Sequence, residues 1–92
     1  MLKIKYQSQF KKDYKRAVKQ GFDQKILENV LGYLVSGKPL PRKYKDHALR
    51  DSKDYKRVRE CHLTPDMLLV YQIKEEELIL KLIRMGSHSE LF

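Results

Sequence analysis

Leu2, Ile4 and Tyr6 alternate with Lys3 and Lys5 at the start of the chain, the period-two pattern of a strand with one buried face. From Ser8 the spacing changes. Phe10, Tyr14, Ala17 and Val18 recur at helical intervals while Lys11, Lys12, Lys15, Arg16 and Lys19 fill the other positions. This predicts an amphipathic helix capped by Ser8 and ended by Gly21. A second helix is expected after Phe22, with Asp23 as its N-cap and Ile26, Leu27, Val30, Leu31, Leu34 and Val35 as its core-facing stripe. Gly37, Pro39 and Pro41 stop it.

Residues 38–54 carry neither period and read as a long connection, a kind of segment that often holds functional groups. Three more strands follow. Residues 55–62 alternate basic and apolar side chains, and residues 67–73 form the nearly continuous apolar run of a central strand. In residues 77–85, Leu78, Leu80 and Leu82 alternate with Ile79, Lys81 and Ile83. Thr64-Pro65-Asp66 and Lys74-Glu75-Glu76 are tight connections, so the three strands pair as an antiparallel meander. Gly86 releases a short tail. The order predicts a single α+β domain over residues 1–92: an N-terminal strand, a two-helix hairpin, then the meander, with the helices on one sheet face.

Charge narrows the class of partner. Lys and Arg number 20 against 12 Asp and Glu, and a formal charge of +8 favours an anionic partner, nucleic acid or an acidic protein. Arg42, Lys43, Lys45, Arg50, Lys53, Lys56, Arg57 and Arg59 form a tract that can follow an RNA backbone. Cys61 is the only cysteine, which leaves no internal disulfide and no cysteine-rich zinc site. An unpaired thiol suits a reducing cytosol, and its strand position fits a packed side chain better than a nucleophile. No apolar run reaches the length of a secretory h-region or a membrane span, so cytoplasmic residence without a membrane partner is the default expectation. No Gly-rich phosphate loop is present.

The candidate chemistry lies in three histidines, His47, His62 and His88. Imidazole can both take and give a proton near neutral pH. His62 ends one predicted strand, Asp66 begins the turn after it, Arg84 lies near the end of the last strand, and His88 follows four residues later. A meander would bring these groups to one edge, with His47 on the loop above. Arginine adds a planar fork for phosphate. The set fits metal-free acid–base cleavage of RNA through its own 2′-hydroxyl. Two other readings stay open on these residues. One is a metal site built from His47, His62, Asp66 and His88, although histidine spacings of 15 and 26 match no compact zinc motif. The other is a basic RNA- or ribosome-binding module without catalysis.

Tyr44-Lys45-Asp46-His47-Ala48-Leu49, His62-Leu63-Thr64-Pro65-Asp66 and Arg84-Met85-Gly86-Ser87-His88-Ser89-Glu90-Leu91-Phe92, in that order, resemble the YafQ branch of the RelE-like toxins, within the RelE/ParE superfamily. The resemblance spans the whole chain. It implies a type II toxin that cleaves mRNA, on or off the ribosome, and is neutralised by a cognate antitoxin, with DNA reached only indirectly through the toxin–antitoxin complex. It implies no cofactor and no metal, with a 2′,3′-cyclic phosphate or 3′-phosphate and a 5′-hydroxyl as product ends. The site it implies is His47, His62, Asp66, Arg84, His88 and Phe92.

On that site His88 is read as general acid and Arg84 as phosphate clamp. His62 with Asp66 forms the base unit, Asp66 either orienting the imidazole or acting as base itself, and His47 assists. Phe92 offers a ring to an unpaired base. The acid and base labels can be exchanged. Met67 stands where some relatives carry tryptophan, so the resemblance does not extend to a base-stacking ring at that position. A toxin of the same fold with another target is the further alternative.

Overall fold

The structure, a computed structural model, describes residues 1–49 and 58–91. Strand β1 (Lys3–Tyr6) leads into helices α1 (Ser8–Lys19) and α2 (Gln24–Val35). A 3₁₀ turn over Arg42–Tyr44 and the two-residue strand β2 (His47–Ala48) follow. Then come β3 (Val58–Thr64), β4 (Met67–Lys74), β5 (Ile79–Gly86) and a short helix α3 (His88–Leu91). The strands form one sheet in the order β1-β5-β4-β3-β2, with β1 parallel to β5 and the other neighbours antiparallel.

The α+β architecture and the meander are those expected from the sequence. Local differences have local causes. Within the expected connection, residues 38–49 hold a 3₁₀ turn and an edge strand, while residues 50–54 of it and residues 55–57 of the strand expected next lie outside the described residues. Both are too short to give a periodic signal. The last strand begins at Ile79, after a 3₁₀ turn over Glu75–Glu77, and the tail coils into α3. Ser8 does not cap α1; it is the first helical residue, and Gln7 stands at the cap without a side-chain bond. Asp23 caps α2 as expected, accepting from the Lys25 amide at 3.0 Å.

Gly21 (φ 95°) and Gly37 (φ 75°) take the left-handed backbone that closes each helix. Just beyond them the amides of Phe22 and Lys38 donate to Ala17 and Tyr33 carbonyls, each at 3.0 Å. These caps let both helices turn back onto one face of the sheet. Phe10, Ala17, Leu27, Val30 and Leu34 pack there against Cys61, Leu63, Leu69, Tyr71, Leu80, Leu82 and Met85. Each fully buried Leu or Phe contributes about 1.5–3 kcal/mol. Tyr6 departs from the buried face expected of its strand. It is 46% exposed and sets its ring 5.9 Å from that of Phe10.

Cys61 lies in the middle of this core with no exposed surface. Burial first, then the Asp46 and Glu60 carboxylates, push its thiol up to about 12. The thiol stays protonated near neutrality and packs as an apolar group. Its expected structural role follows.

Candidate active site

The sheet register sets the site. His47 lies opposite Glu60, Glu60 opposite Val70, and Val70 opposite Arg84, so one row crosses β2, β3, β4 and β5. The next row joins His62, Leu68 and Gly86. With neighbouring strands about 4.8 Å apart, the backbones of His62 and Gly86 stand roughly 10 Å from each other. His88 follows Gly86 by two residues. Bulges lie beside both rows. One shifts the register between His62 and Thr64, the other between Val70 and Tyr71, leaving Leu63 and Ile83 as the extra residues. Such irregularities bend a strand and re-aim the side chains next to them.

His47 is held from three directions. Its Nδ1 lies 2.8 Å from the Lys45 carbonyl, which can only accept, so Nδ1 carries the proton. Nε2 lies 3.5 Å from Glu60 Oε1, a contact that holds the ring when this nitrogen carries a proton as well. The imidazole of His62 lies beside it, with ring centroids 6.3 Å apart. Glu60 is buried, whereas the His47 side chain is half exposed.

Asp46 anchors the segment that carries His47. Arg59 donates to both of its carboxylate oxygens, through Nε at 3.2 and 3.3 Å and Nη2 at 2.9 Å, and the Tyr71 hydroxyl donates to Oδ1. Tyr71 is buried, and burial first, then the Asp46 carboxylate, raise its pKa so that the hydroxyl remains a donor. Arg59 holds its proton more tightly, chiefly through the Asp46 bond. These bonds support the left-handed backbone of Lys45 (φ 47°).

Arg84 runs to helix α1. Its Nε donates to Asp13 Oδ2 at 2.8 Å and its Nη2 to Oδ1 at 3.3 Å. Beyond it, Ser87 and Glu90 form a reciprocal cap on α3. The Ser87 amide donates to Glu90 Oε1 at 2.8 Å, and the Glu90 amide donates to Ser87 Oγ at 3.3 Å. The Ser87 bonds lower the Glu90 pKa. His88 therefore sits in the first turn of a capped helix, not on a loose tail, and its side chain is exposed.

A cavity of about 410 Å³ opens beside His62, with Ile26, Leu63 and Pro65 among its apolar walls and Lys43 and Lys45 on its rim. Lys43 Nζ lies 5.1 Å from the centroid of the Tyr44 ring, which is itself buried. Arg42 is exposed on the same turn.

The expected site residues thus divide. His47 and His62 are neighbours, whereas the register places the backbone of Arg84 two strands from Glu60 and that of Gly86, two residues before His88, two strands from His62. Asp66 stands exposed at the β3–β4 tip, and no hydrogen bond or ion pair joins it to His62. The carboxylate beside the imidazoles is Glu60. Arg59 is committed to Asp46 rather than presented as a loose cation. Arg50, Lys53, Lys56, Arg57 and Phe92 lie outside the described residues. Sequence reasoning passes over Asp13, Asp46, Glu60 and the Ser87–Glu90 pair. Two signals were available: a carboxylate on the apolar stripe of α1, and Ser-x-x-Glu spacing after Gly86.

Comparison with known proteins agrees with this architecture. Residues 2–92 match the family described as bacterial toxin of type II toxin–antitoxin system, YafQ. The chain is 38% identical over 90 residues to the mRNA interferase toxin YafQ of Escherichia coli strain B / BL21-DE3, covering 97% of this chain and 94% of the relative. It superposes on a metal-bound toxin from Helicobacter pylori with a TM-score of 0.92 and 55% identity, covering 100% of both chains. In the E. coli DinJ–YafQ complex the TM-score is 0.89 at 36% identity, covering 100% of this chain and 99% of the other.

Proposed function

The chain belongs to the YafQ family of bacterial toxins from type II toxin–antitoxin systems, and from that membership we propose that it is an endoribonuclease that cleaves mRNA and so inhibits translation. One observation carries the reading. His47, Glu60 and Arg84 share one row across the sheet, and His62 shares the next with Gly86, just ahead of His88.

The proposed reaction needs no group from outside the chain. His62 accepts the proton of the RNA 2′-hydroxyl, with the Glu60 carboxylate, two residues before it on β3, favouring the imidazolium that forms. The 2′-oxygen bonds to phosphorus, the bond from phosphorus to the 5′-oxygen breaks, and His88 protonates the departing oxygen. A 2′,3′-cyclic phosphate, or its hydrolysed 3′-phosphate, and a 5′-hydroxyl result. Arg84 balances charge on the phosphorane. Positioned acids and bases contribute about 10²–10⁴-fold each, and preorganised charge about 10²–10³-fold. Asp66, away from the imidazole, meets the substrate at the hairpin tip. The cavity beside His62, rimmed by Lys43 and Lys45, takes an adjoining nucleotide, with its phosphate on the cations.

The H. pylori relative is a metal-bound toxin. Among the described residues here, no group of three or more His, Cys, Asp or Glu side chains is gathered to hold an ion. No step of the proposed reaction runs through an ion.

The partners follow the same reading. A YafQ chain is held by DinJ in the E. coli complex; here an acidic antitoxin would neutralise the basic toxin, and DNA would be reached only through that complex. No helix among the described residues is long and apolar enough to cross a membrane. Action on mRNA implies residence in the cytoplasm, as one domain.

The test is cleavage of a short RNA by wild type and His88→Ala in the presence of a chelator, with product ends identified. Wild-type cleavage giving 5′-hydroxyl ends, lost in the variant, is expected. Intact RNA with wild type would leave a binding module instead, and wild-type cleavage lost on chelation alone would establish a metal-dependent nuclease.

A further inference from the structure

Asp13 is a charge on the buried face of a helix. It falls three residues after Phe10 and four before Ala17, on the stripe that packs against the sheet, and its side chain has no exposed surface. A carboxylate buried there is costly unless bonded on every side. Asp13 meets that demand at the open edge of β5. β1 ends at Tyr6, opposite Leu82, so β5 has no strand neighbour on that side beyond this point. There Asp13 Oδ2 accepts from the Met85 amide at 3.1 Å and from Arg84 Nε at 2.8 Å, while Oδ1 accepts from Gln9 Nε2 at 3.1 Å.

The arrangement is lopsided in a useful way. The carboxylate is sealed, whereas the Arg84 side chain is 27% exposed. Asp13 grips the guanidinium by its Nε–Nη2 edge, which fixes the plane and direction of the fork. The same carboxylate is 3.5 Å from Arg16, and Arg16 reaches Glu90 at 3.1 Å. Glu90 is the residue that caps the turn bearing His88. One buried group on α1 is thus tied closely to Arg84 and, through a longer contact to the half-exposed Arg16, only loosely to the helix of His88. A buried ion pair gives little net stability compared with well-packed apolar residues, so its effect is best sought in geometry.

We infer that Asp13 is the positioning residue for Arg84, holding the guanidinium where it meets the scissile phosphate. The inference rests on the endoribonuclease reading above, since it needs Arg84 to act on RNA. Asp13 touches no substrate itself.

A double-mutant cycle in the full chain tests it, with RNA cleavage read as kcat and KM and folding read by thermal melting and circular dichroism. In the wild-type background Asp13→Asn should lower kcat about 10–100-fold while KM changes little, the effect expected of a misplaced group. In the Arg84→Ala background the same substitution should change kcat by less than about 2-fold, because a residue that acts through Arg84 has nothing left to position. Asp13→Glu keeps the charge and should retain part of the activity; it serves as the second variant if Asp13→Asn does not fold. Equal losses from the Asp13 substitution in both backgrounds would overturn the inference, as would wild-type kcat in folded Asp13→Asn. If wild type cleaves and Arg84→Ala cleaves measurably more slowly, those results bear on Asp13 alone, whereas wild-type kcat in Arg84→Ala would overturn the inference because Arg84 would then take no part in the reaction. No cleavage by wild type would overturn the functional reading and the inference together.

Discussion

His47 Nε2 and Glu60 Oε1 lie 3.5 Å apart across the β2–β3 pair, and Glu60 is only 5% exposed. A two-residue edge strand therefore delivers an imidazole to a carboxylate enclosed by the sheet. The pairing joins the long connection, which sequence alone leaves unstructured, to the centre of the candidate site.

Glu60→Gln keeps the shape of this carboxylate and removes its charge. Single-turnover RNA cleavage should slow by about 10-fold or more, less than the roughly 10²–10⁴-fold of a group that itself transfers the proton. His47→Gln should cause a similar loss. The double variant should be no slower than the slower single, as expected for two residues acting as a unit. Multiplying losses would show that the two act separately.

Asp46 is predicted to act on stability before chemistry. Asp46→Ala strands the buried Tyr71 hydroxyl and the Arg59 guanidinium together. Leaving a buried donor unsatisfied costs about 1–3 kcal/mol. The urea midpoint should fall accordingly, and amides near His47 should exchange faster. Tyr71→Phe removes the donor itself and leaves Asp46 bonded to Arg59, so its loss should be smaller. Equal midpoints for wild type and Asp46→Ala would contradict this account.

The fold was legible because its signals are long. The stripe from Ile26 to Val35 spans a whole helix, and the apolar run from Met67 to Ile73 spans a whole strand. The site was legible only in part. His47, His62, Arg84 and His88 stand out by residue type, and the β2–β3 pairing sets the first two side by side. Which carboxylate lies beside His47 was not legible. Asp66 stands out in the turn after His62, yet the hairpin sends it to the tip, while Glu60 reads as one more charge in an alternating strand. Glu60 reaches His47 through the β2 pairing, and two paired residues have too little periodicity to announce a strand. Asp13 was hidden among the lysines of α1, where a charge reads as solvated surface unless its position on the apolar stripe is weighed.

The surface cations should separate by what they touch. Lys43→Gln with Lys45→Gln removes two exposed charges at the rim of the cavity beside His62. RNA binding should weaken, and its salt dependence should become shallower by about 0.7 in log–log slope for each phosphate no longer neutralised. Arg59→Gln should behave differently, because that guanidinium is bound to Asp46. Its main effect should be a lower urea midpoint with the salt slope unchanged. Filter binding across a salt series, alongside urea unfolding, distinguishes the two classes. A slope change from Arg59→Gln would return it to the RNA-contacting set.

The Asp13 network should also shape acid unfolding. Burial alone would raise the Asp13 pKa, but bonds from Arg84, the Met85 amide and Gln9 outweigh it and hold the carboxyl below the ordinary value of 3.8. A folded pKa below the unfolded one means that the unfolded chain takes up a proton first as pH falls. The stabilisation is therefore complete at pH well above 3.8, shrinks as pH drops through that value, and is gone below the lowered folded pKa. At neutral pH Asp13→Asn should be less stable by about 1.5–3 kcal/mol, the worth of hydrogen bonds to a charged group. That gap should close as the buffer is taken below the ordinary carboxylate range. Arg16, Arg84 and Glu90, the charged groups of the network on α1, β5 and α3, remain in both proteins, so the difference between the two urea-unfolding curves isolates Asp13. A gap that stays constant from neutral pH into strong acid would mean that the carboxylate charge is not what holds Arg84 to α1.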